Sequence, residues 1–151
     1  SPALVCLDRM TGSLLWQHQQ PGLQKMVGIY EDQIILVCQS GILSLQLEDG
    51  ATRWFYPVSV NPQSVLIHND HVLALTLDKP LATTQLSLEP ERGILWIHPQ
   101  TGNVEHHFSL EEENKVFFDA EQIFTFADQV VVVSNVDINA RTFKLLGLPV
   151  K

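Results

Sequence analysis

Basic residues are scarce in this chain, and none of them cluster. Nine Lys and Arg stand against 17 Asp and Glu, a formal net charge of −8. Such a surface repels phosphate backbones and anionic lipid, so nucleic-acid and membrane-surface binding are disfavoured and electrostatic steering would favour basic partners. Long apolar runs are missing too. Stretches such as Ile34 to Cys38 and Val130 to Val133 are far too short to span a bilayer. The N-terminus carries no basic-then-apolar signal segment, so a soluble chain or a processed piece of one is expected, with no membrane insertion. The two cysteines, Cys6 and Cys38, sit inside apolar runs without metal-ligand spacing. They form no disulfide framework, read as small buried hydrophobes and say little about compartment. There is no Gly-rich phosphate loop, no nucleophile elbow and no supported paired-carboxylate motif. What is present is an apolar content of 45% over 151 residues, which suits one ordinary globular domain with enough material for a core.

The chain repeats itself. Leu7-Asp8-Arg9-Met10-Thr11-Gly12-Ser13-Leu14-Leu15-Trp16 aligns with Leu45-Gln46-Leu47-Glu48-Asp49-Gly50-Ala51-Thr52-Arg53-Trp54, with Gly and Trp four apart in both and 38 residues from Gly12 to Gly50. An unrelated landmark keeps the same period: Glu31-Asp32-Gln33-Ile34 returns as Asn69-Asp70-His71-Val72, and Asp32 to Asp70 is again 38. A third copy is stretched. Gln100-Thr101-Gly102-Asn103 repeats the turn and Ala127-Asp128-Gln129-Val130 repeats the acidic hairpin. The spacing places an insertion of 14 residues at about Asp78 to Glu91 and six further residues near Glu111-Glu112-Glu113.

Within a repeat, short apolar runs are bounded by turn residues, the pattern of strands and not of helices. The second repeat shows four such runs: Met26 to Tyr30, Gln33 to Gln39, Gly41 to Leu47 and Ala51 to Tyr56. The links between the first three are so short that neighbouring strands must run antiparallel, which predicts an all-β fold of four-stranded meanders. In Asp8-Arg9-Met10-Thr11-Gly12 the carboxylate can accept backbone N–H groups at the first turn position, and Gly suits the left-handed position that closes a bulged hairpin. Gly12, Gly50 and Gly102 are therefore structural. Trp16 and Trp54 fall on the last strand of their sheets, where a large flat side chain fills the space between sheets. His106 takes that position in the third copy, so one contact between sheets must be made differently.

Four-stranded sheets recurring every 38 residues, each closing on a turn of the Asp-x-x-Thr-Gly-x-x-x-Trp type, resemble the pyrroloquinoline-quinone-like repeat family of β-propellers. The match is good over Ala3 to Trp16 and Leu43 to Trp54 and weaker over Ile94 to His106, while Arg141 to Gly147 supports only a generic strand. The resemblance implies blades arranged radially around a channel. That broad group includes quinoprotein dehydrogenases, the outer-membrane β-barrel assembly lipoprotein, and sensor or scaffold domains, and it implies a periplasmic, luminal or otherwise extracytoplasmic setting. The expected layout is a partial blade over 1–18, a blade over 25–56, a blade over 64–108 carrying the 78–91 insertion, and a partial blade over 121–147. This is about three blades, whereas closed propellers use about four to eight. Missing blades from a parent chain, or a homo-oligomer, would complete the ring, and an exposed edge invites partners.

Quinoprotein dehydrogenases hold their quinone over a disulfide between adjacent cysteines beside a calcium ion, and this chain has no adjacent cysteine pair. The resemblance thus carries over the fold without the cofactor, and no catalytic, cofactor-binding or metal residue is assigned. His68-Asn69-Asp70-His71 straddles a hairpin turn, and His106-His107 sends side chains to opposite faces of a strand. With His18 and His98 these are ordinary turn or edge histidines, too scattered to make a metal site. The stronger lead is the 78–91 insertion, because lengthened loops on rigid scaffolds are where recognition resides. Its Leu86 and Leu88 alternate with polar residues between two prolines. With Leu81 and Thr84 they could add a strand to a protein partner's sheet. Glu111-Glu112-Glu113 reads as a solvated loop. The expected function is a non-catalytic propeller module for protein–protein interaction or scaffolding. The alternatives are a fragment of a quinone-dependent dehydrogenase, or a sensor that dimerises through an open sheet edge.

Overall fold

Aliphatic and β-branched runs separated by two-residue turns can satisfy their backbone groups only by pairing with their chain neighbours, and antiparallel meanders result. The computed structural model describes residues 2–76, 93–109, 120–137 and 142–149. Among these described residues it shows 13 strands: β1 (Ala3–Leu7), β2 (Leu14–Gln19), β3 (Leu23–Tyr30), β4 (Gln33–Cys38), β5 (Gly41–Gln46), β6 (Thr52–Pro57), β7 (Val60–His68), β8 (His71–Thr76), β9 (Gly93–Ile97), β10 (Val104–Ser109), β11 (Ala120–Phe126), β12 (Gln129–Asp137) and β13 (Thr142–Pro149). They form four antiparallel sheets of consecutive strands: β1-β2, β3-β4-β5-β6, β7-β8-β9-β10 and β11-β12-β13. The second repeat has the four strands its pattern predicts, with β3 reaching back to Leu23. β7 starts at Val60 and passes through Pro62, which has no N–H to give a ladder, and a register shift between Val60 and Val65 absorbs the irregularity. Among the described residues no helix is long and apolar enough to cross a membrane. The 78–91 insertion and Glu111-Glu112-Glu113 lie outside the described residues.

The sheets stack face to face, and the core lies between them in three layers. Leu4, Cys6 and Trp16 of the first sheet pack on Ile34, Leu36, Leu43 and Leu45 of the second. The opposite face of the second sheet, with Ile35, Val37, Ile42 and Trp54, meets Val65, Val72, Ala74, Leu95 and Ile97 of the third. Leu73, Leu75, Ile94 and Trp96 then face Ile123 and Val130 of the fourth. β4, β5, β8 and β9 are covered on both faces, which is why they read as near-continuous apolar runs and lack a clean alternation. Cys38 is buried and free, as the sequence predicts, whereas Cys6 is only half-buried because β1 has the margin of a two-stranded sheet around it.

Each turn between the third and fourth strand of a sheet has one backbone design. Gly12 N donates to Asp8 O at 2.8 Å, Gly50 N to Gln46 O at 2.9 Å and Gly102 N to His98 O at 2.9 Å. The glycines hold φ of 72°, 75° and 74°, and a register shift precedes each turn. The two later glycines do a second job. Trp16 lies against Gly50, where an added Cβ would come within 2.6 Å of Cε3, and Trp54 lies against Gly102, where it would come within 2.6 Å of Cδ2. The Trp16 indole N–H donates to Leu47 O at 2.9 Å, and that of Trp54 to Pro99 O at 2.7 Å. Each indole therefore joins its sheet to the closing turn of the next.

Gly50→Ala is expected to cost about 3 kcal/mol, combining the left-handed backbone with displacement of a packed ring. Gly12→Ala has open space around it and should cost only about 1 kcal/mol of backbone strain. Urea unfolding of the two variants checks this, and equal losses would refute the packing role of Gly50.

Candidate functional site

An antiparallel meander sends alternate connections to opposite ends of a sheet, which sorts the loops into two sets. One end gathers the first hairpin turns, Glu31-Asp32, Asn69-Asp70 and Ala127-Asp128, with the Gly-closed turns, as the bond from Leu47 N to Asp32 O at 2.8 Å shows. The other end takes the links from β4 to β5 and β8 to β9, and those from one sheet to the next. The segments 77–92 and 110–119 both depart from this second end, since they follow β8 and β10.

The first end is tied across sheets. Glu31, Asn69, Asp70 and Ala127 hold φ between 46° and 59°, so these tight hairpins run through the left-handed region without glycine. Tyr30 Oη donates to Asp70 Oδ1 at 3.1 Å, and His68 Nε2 donates to Ala127 O at 3.0 Å. Tyr30 and His68 occupy the same repeat position, so each sheet reaches the hairpin of its successor. Loss of water, the hydrogen bond to Asp70 and the charges of Asp70 and Glu31 push the Tyr30 phenol up. Arg53 pairs with Asp32 at 2.6 Å, Gln100 bonds Glu31, and His71 bridges the Asn69 carbonyl at 2.9 Å and Glu105 at 2.6 Å. This rim is held by pairs within the protein.

The other histidines also have partners. His18 Nδ1 donates to Gly50 O at 3.1 Å, and its Nε2 meets the side-chain amide of Gln20. His98 Nδ1 accepts from Gln100 N at 3.2 Å, standing where Asp8 accepts in the first turn. Among the described residues no group of three or more His, Cys, Asp and Glu is placed to hold a metal ion. Asp8 Oδ1 accepts from Thr11 N at 2.7 Å, Thr11 Oγ1 at 2.9 Å and Met10 N at 2.9 Å. The bonds from Thr11, then that from Met10, hold its carboxyl below the usual carboxylate range. It braces a turn.

The sequence left the contact at His106 open, and the structure supplies it through a residue that repeat reasoning passed over. Aligning Gly93 with Gly41 places Trp96 opposite Ser44 and His106 opposite Trp54. Ser44 pairs with Trp54 across β5 and β6, and Trp96 pairs with His106 across β9 and β10. The large aromatic has changed strands. Trp96 is 5% exposed against the fourth sheet, and His106 meets it edge-on at 5.2 Å between ring centroids. Also unanticipated is Gln33, fully buried, whose carbonyl oxygen accepts from Ser44 Oγ at 2.5 Å.

At the second end, Pro21, Gly22, Gln39 and Ser40 line an open depression of about 280 Å³. The partner-binding candidates Leu81, Thr84, Leu86 and Leu88 lie outside the described residues.

No protein-family model and no curated protein matches the sequence. Among solved structures, the chain is similar to BamB from Moraxella catarrhalis, a β-propeller, with a TM-score of 0.54 and 18% identity over 83% of this chain. It spans 36% of the BamB chain. A Saccharomyces cerevisiae complex of Dbp5 with Nup159, Gle1, IP6 and ADP covers 90% of this chain and 50% of that one at 14% identity, and its TM-score of 0.32 carries no argument. The fold is that of a partial β-propeller.

Because the Asp8 carboxyl is depressed in the folded state, its contribution is complete above the ordinary carboxylate pKa and is lost as pH falls through the lowered one. Asp8→Asn should therefore flatten the acid limb of the urea midpoint below about pH 4, the ordinary carboxylate pKa. An acid limb identical to that of the parent chain would contradict this. Trp54→Phe keeps a ring on Gly102 but leaves the buried Pro99 carbonyl without its donor, at an expected cost of about 1–2 kcal/mol in the same assay.

Proposed function

We propose that this chain is a non-catalytic propeller module, of the pyrroloquinoline-quinone-like repeat type, that serves protein–protein interaction or scaffolding. The observation that carries this reading is the sorting of the loops. The first-hairpin rim is locked by Tyr30–Asp70, His68–Ala127 and Arg53–Asp32. Both long connections leave from the opposite end, the end that also carries the depression at Pro21, Gly22, Gln39 and Ser40. Long connections that leave one end of a rigid sheet array suit recognition, because the scaffold fixes where they start and finish. Asp8, His18, Tyr30, Arg53, His68, His71 and His98 are spent on turns and on ties between and within sheets, which supports a binding role over a chemical one. The propeller fold shared with BamB is compatible with this reading at the level of architecture.

Deleting Leu81–Leu88 is expected to leave the circular dichroism spectrum and thermal midpoint within about 2 °C of the parent, since surface-loop length is weakly coupled to stability. The same deletion should weaken partner capture in a pull-down by at least about tenfold, equivalent to about 1.4 kcal/mol of lost contact. Undiminished capture would remove the loop from the interaction.

A further inference from the structure

The second and third sheets both tie the fourth strand back to the first hairpin, but with the charges reversed. Arg53 on β6 and Glu105 on β10 each stand three residues past a turn glycine, Gly50 or Gly102, and each is left out of its ladder by the register shift there. In the second sheet the pair is Arg53 with Asp32 at 2.6 Å. In the third it is Glu105 with His71, also at 2.6 Å. Arginine keeps its charge throughout, whereas histidine changes charge between about pH 5 and 8, so of these two ties the third-sheet one responds to protons.

His71 faces an acceptor from each ring nitrogen. Nδ1 lies 2.9 Å from Asn69 O and Nε2 lies 2.6 Å from Glu105 Oε2, and neither a carbonyl nor a carboxylate oxygen has a hydrogen to give. Both bonds are therefore made only by a ring that carries both protons. A neutral ring has one N–H for two acceptors, and its bare nitrogen would face an oxygen lone pair. The same repeat position is a glutamine in the neighbouring sheets, Gln33 and Gln129, with no proton to lose in this range. The His71 side chain is 20% exposed and that of Glu105 45%, so solvent can supply and remove the proton.

The hairpin held by this pair carries a joint between sheets. Asn69 and Asp70 take φ of 46° and 59° without glycine, and Asp70 Oδ1 accepts the Tyr30 hydroxyl of the second sheet at 3.1 Å. The other titratable groups around the hairpin are His68, which pairs with His71 in the ladder and gives its Nε2 hydrogen to Ala127 O, and His98, one residue past the Ile97 that pairs with Val72. Glu31, held by Gln100, and Asp128 stand in the neighbouring hairpins of the same rim. Asp70, Glu105, Glu31 and Asp128 are all acidic, so a neutral His71 removes the cation paired with Glu105 from an acidic setting.

We propose that His71 and Glu105 form a proton-operated latch on the Asn69–Asp70 hairpin, closed when the ring carries both protons and opened when one of them passes to solvent. The closed latch holds a proton that the open hairpin need not hold, so its contribution is complete on the acid side of the histidine range and is lost as pH rises through it. Opening frees the hairpin on which the Tyr30 tie depends, and the joint between the second and third sheets loosens in mildly alkaline solution. The latch is independent of the 78–91 loop, so loss of loop-mediated capture and failure of the latch are read separately.

The test compares the thermal midpoints of the parent chain, His71→Gln and Glu105→Gln from about pH 5.5 to about pH 8.5. Glutamine is what the flanking repeats use at the His71 position, and Glu105→Gln keeps an oxygen that can accept while removing the charge. The parent should exceed His71→Gln by about 2 °C at the acid end and by less than half of that at the alkaline end. Glu105→Gln should lose the same pH dependence, and the double variant should lose no more. Nitrogen-edited NMR of the parent at the acid end should show both ring N–H protons of His71 slowed in their exchange with water, as an unbonded imidazolium does not. A difference between parent and His71→Gln that is constant with pH, a Glu105→Gln chain that keeps the parent's profile, or rapid exchange of either ring proton would overturn the proposal. Should His71→Gln fail to fold, Glu105→Gln and the parent's ring protons decide alone.

Discussion

The indole laid on a turn glycine of the next sheet is the contact on which the rest of this architecture depends. Aliphatic faces attract one another without direction, so Leu36 against Leu4 or Ile35 against Val72 would tolerate sliding. The N–H of Trp16 on Leu47 O and that of Trp54 on Pro99 O, at 2.9 and 2.7 Å, are directional and fix the offset between sheets. The glycine is needed twice over at that point. It supplies the positive φ that closes the turn, and its missing side chain gives the ring its place. At the same end, Tyr30 and His68 set the register a second time through the first hairpins.

The third boundary shows what the repeat conserves. Cys6 opposite Trp16 and Ser44 opposite Trp54 pair a small residue on the third strand with a large one on the fourth. In the next sheet Trp96 and His106 redistribute that bulk, and the ring fills the gap toward Ile123 and Val130 from the neighbouring strand. Interiors demand that volume be filled, and a cross-strand pair can meet the demand from either strand.

Period, strand content and antiparallel order were legible in the sequence because each rests on local rules: turn glycines, acidic hairpins and runs too short for helices. The Gly12, Gly50 and Gly102 turns were legible for the same reason. The role of Trp96 was not, since it emerges only when Gly93 is aligned with Gly41 across an insertion and cross-strand register is then applied. Nor was the buried Gln33–Ser44 bond, because a glutamine opening a strand reads as solvent-facing until the next sheet covers it. The loop candidates from Leu81 to Leu88 depend on what they meet, and a single chain does not encode its partner's surface. The functional reading accordingly draws on where the connections leave the sheets, whereas the fold reading draws on side chains in contact.

A stack whose sheets are coupled through indoles should release those indoles only when it comes apart. The most direct measurement is native-state exchange of the indole N–H protons of Trp16 and Trp54, followed by nitrogen-edited NMR with the backbone amides of β4 and β8 as reference. The account predicts that both indole protons exchange through the same global opening as those strands. Fast exchange of either one, while β4 and β8 remain protected, would mean that the sheets hold together without the indole contacts and would contradict it.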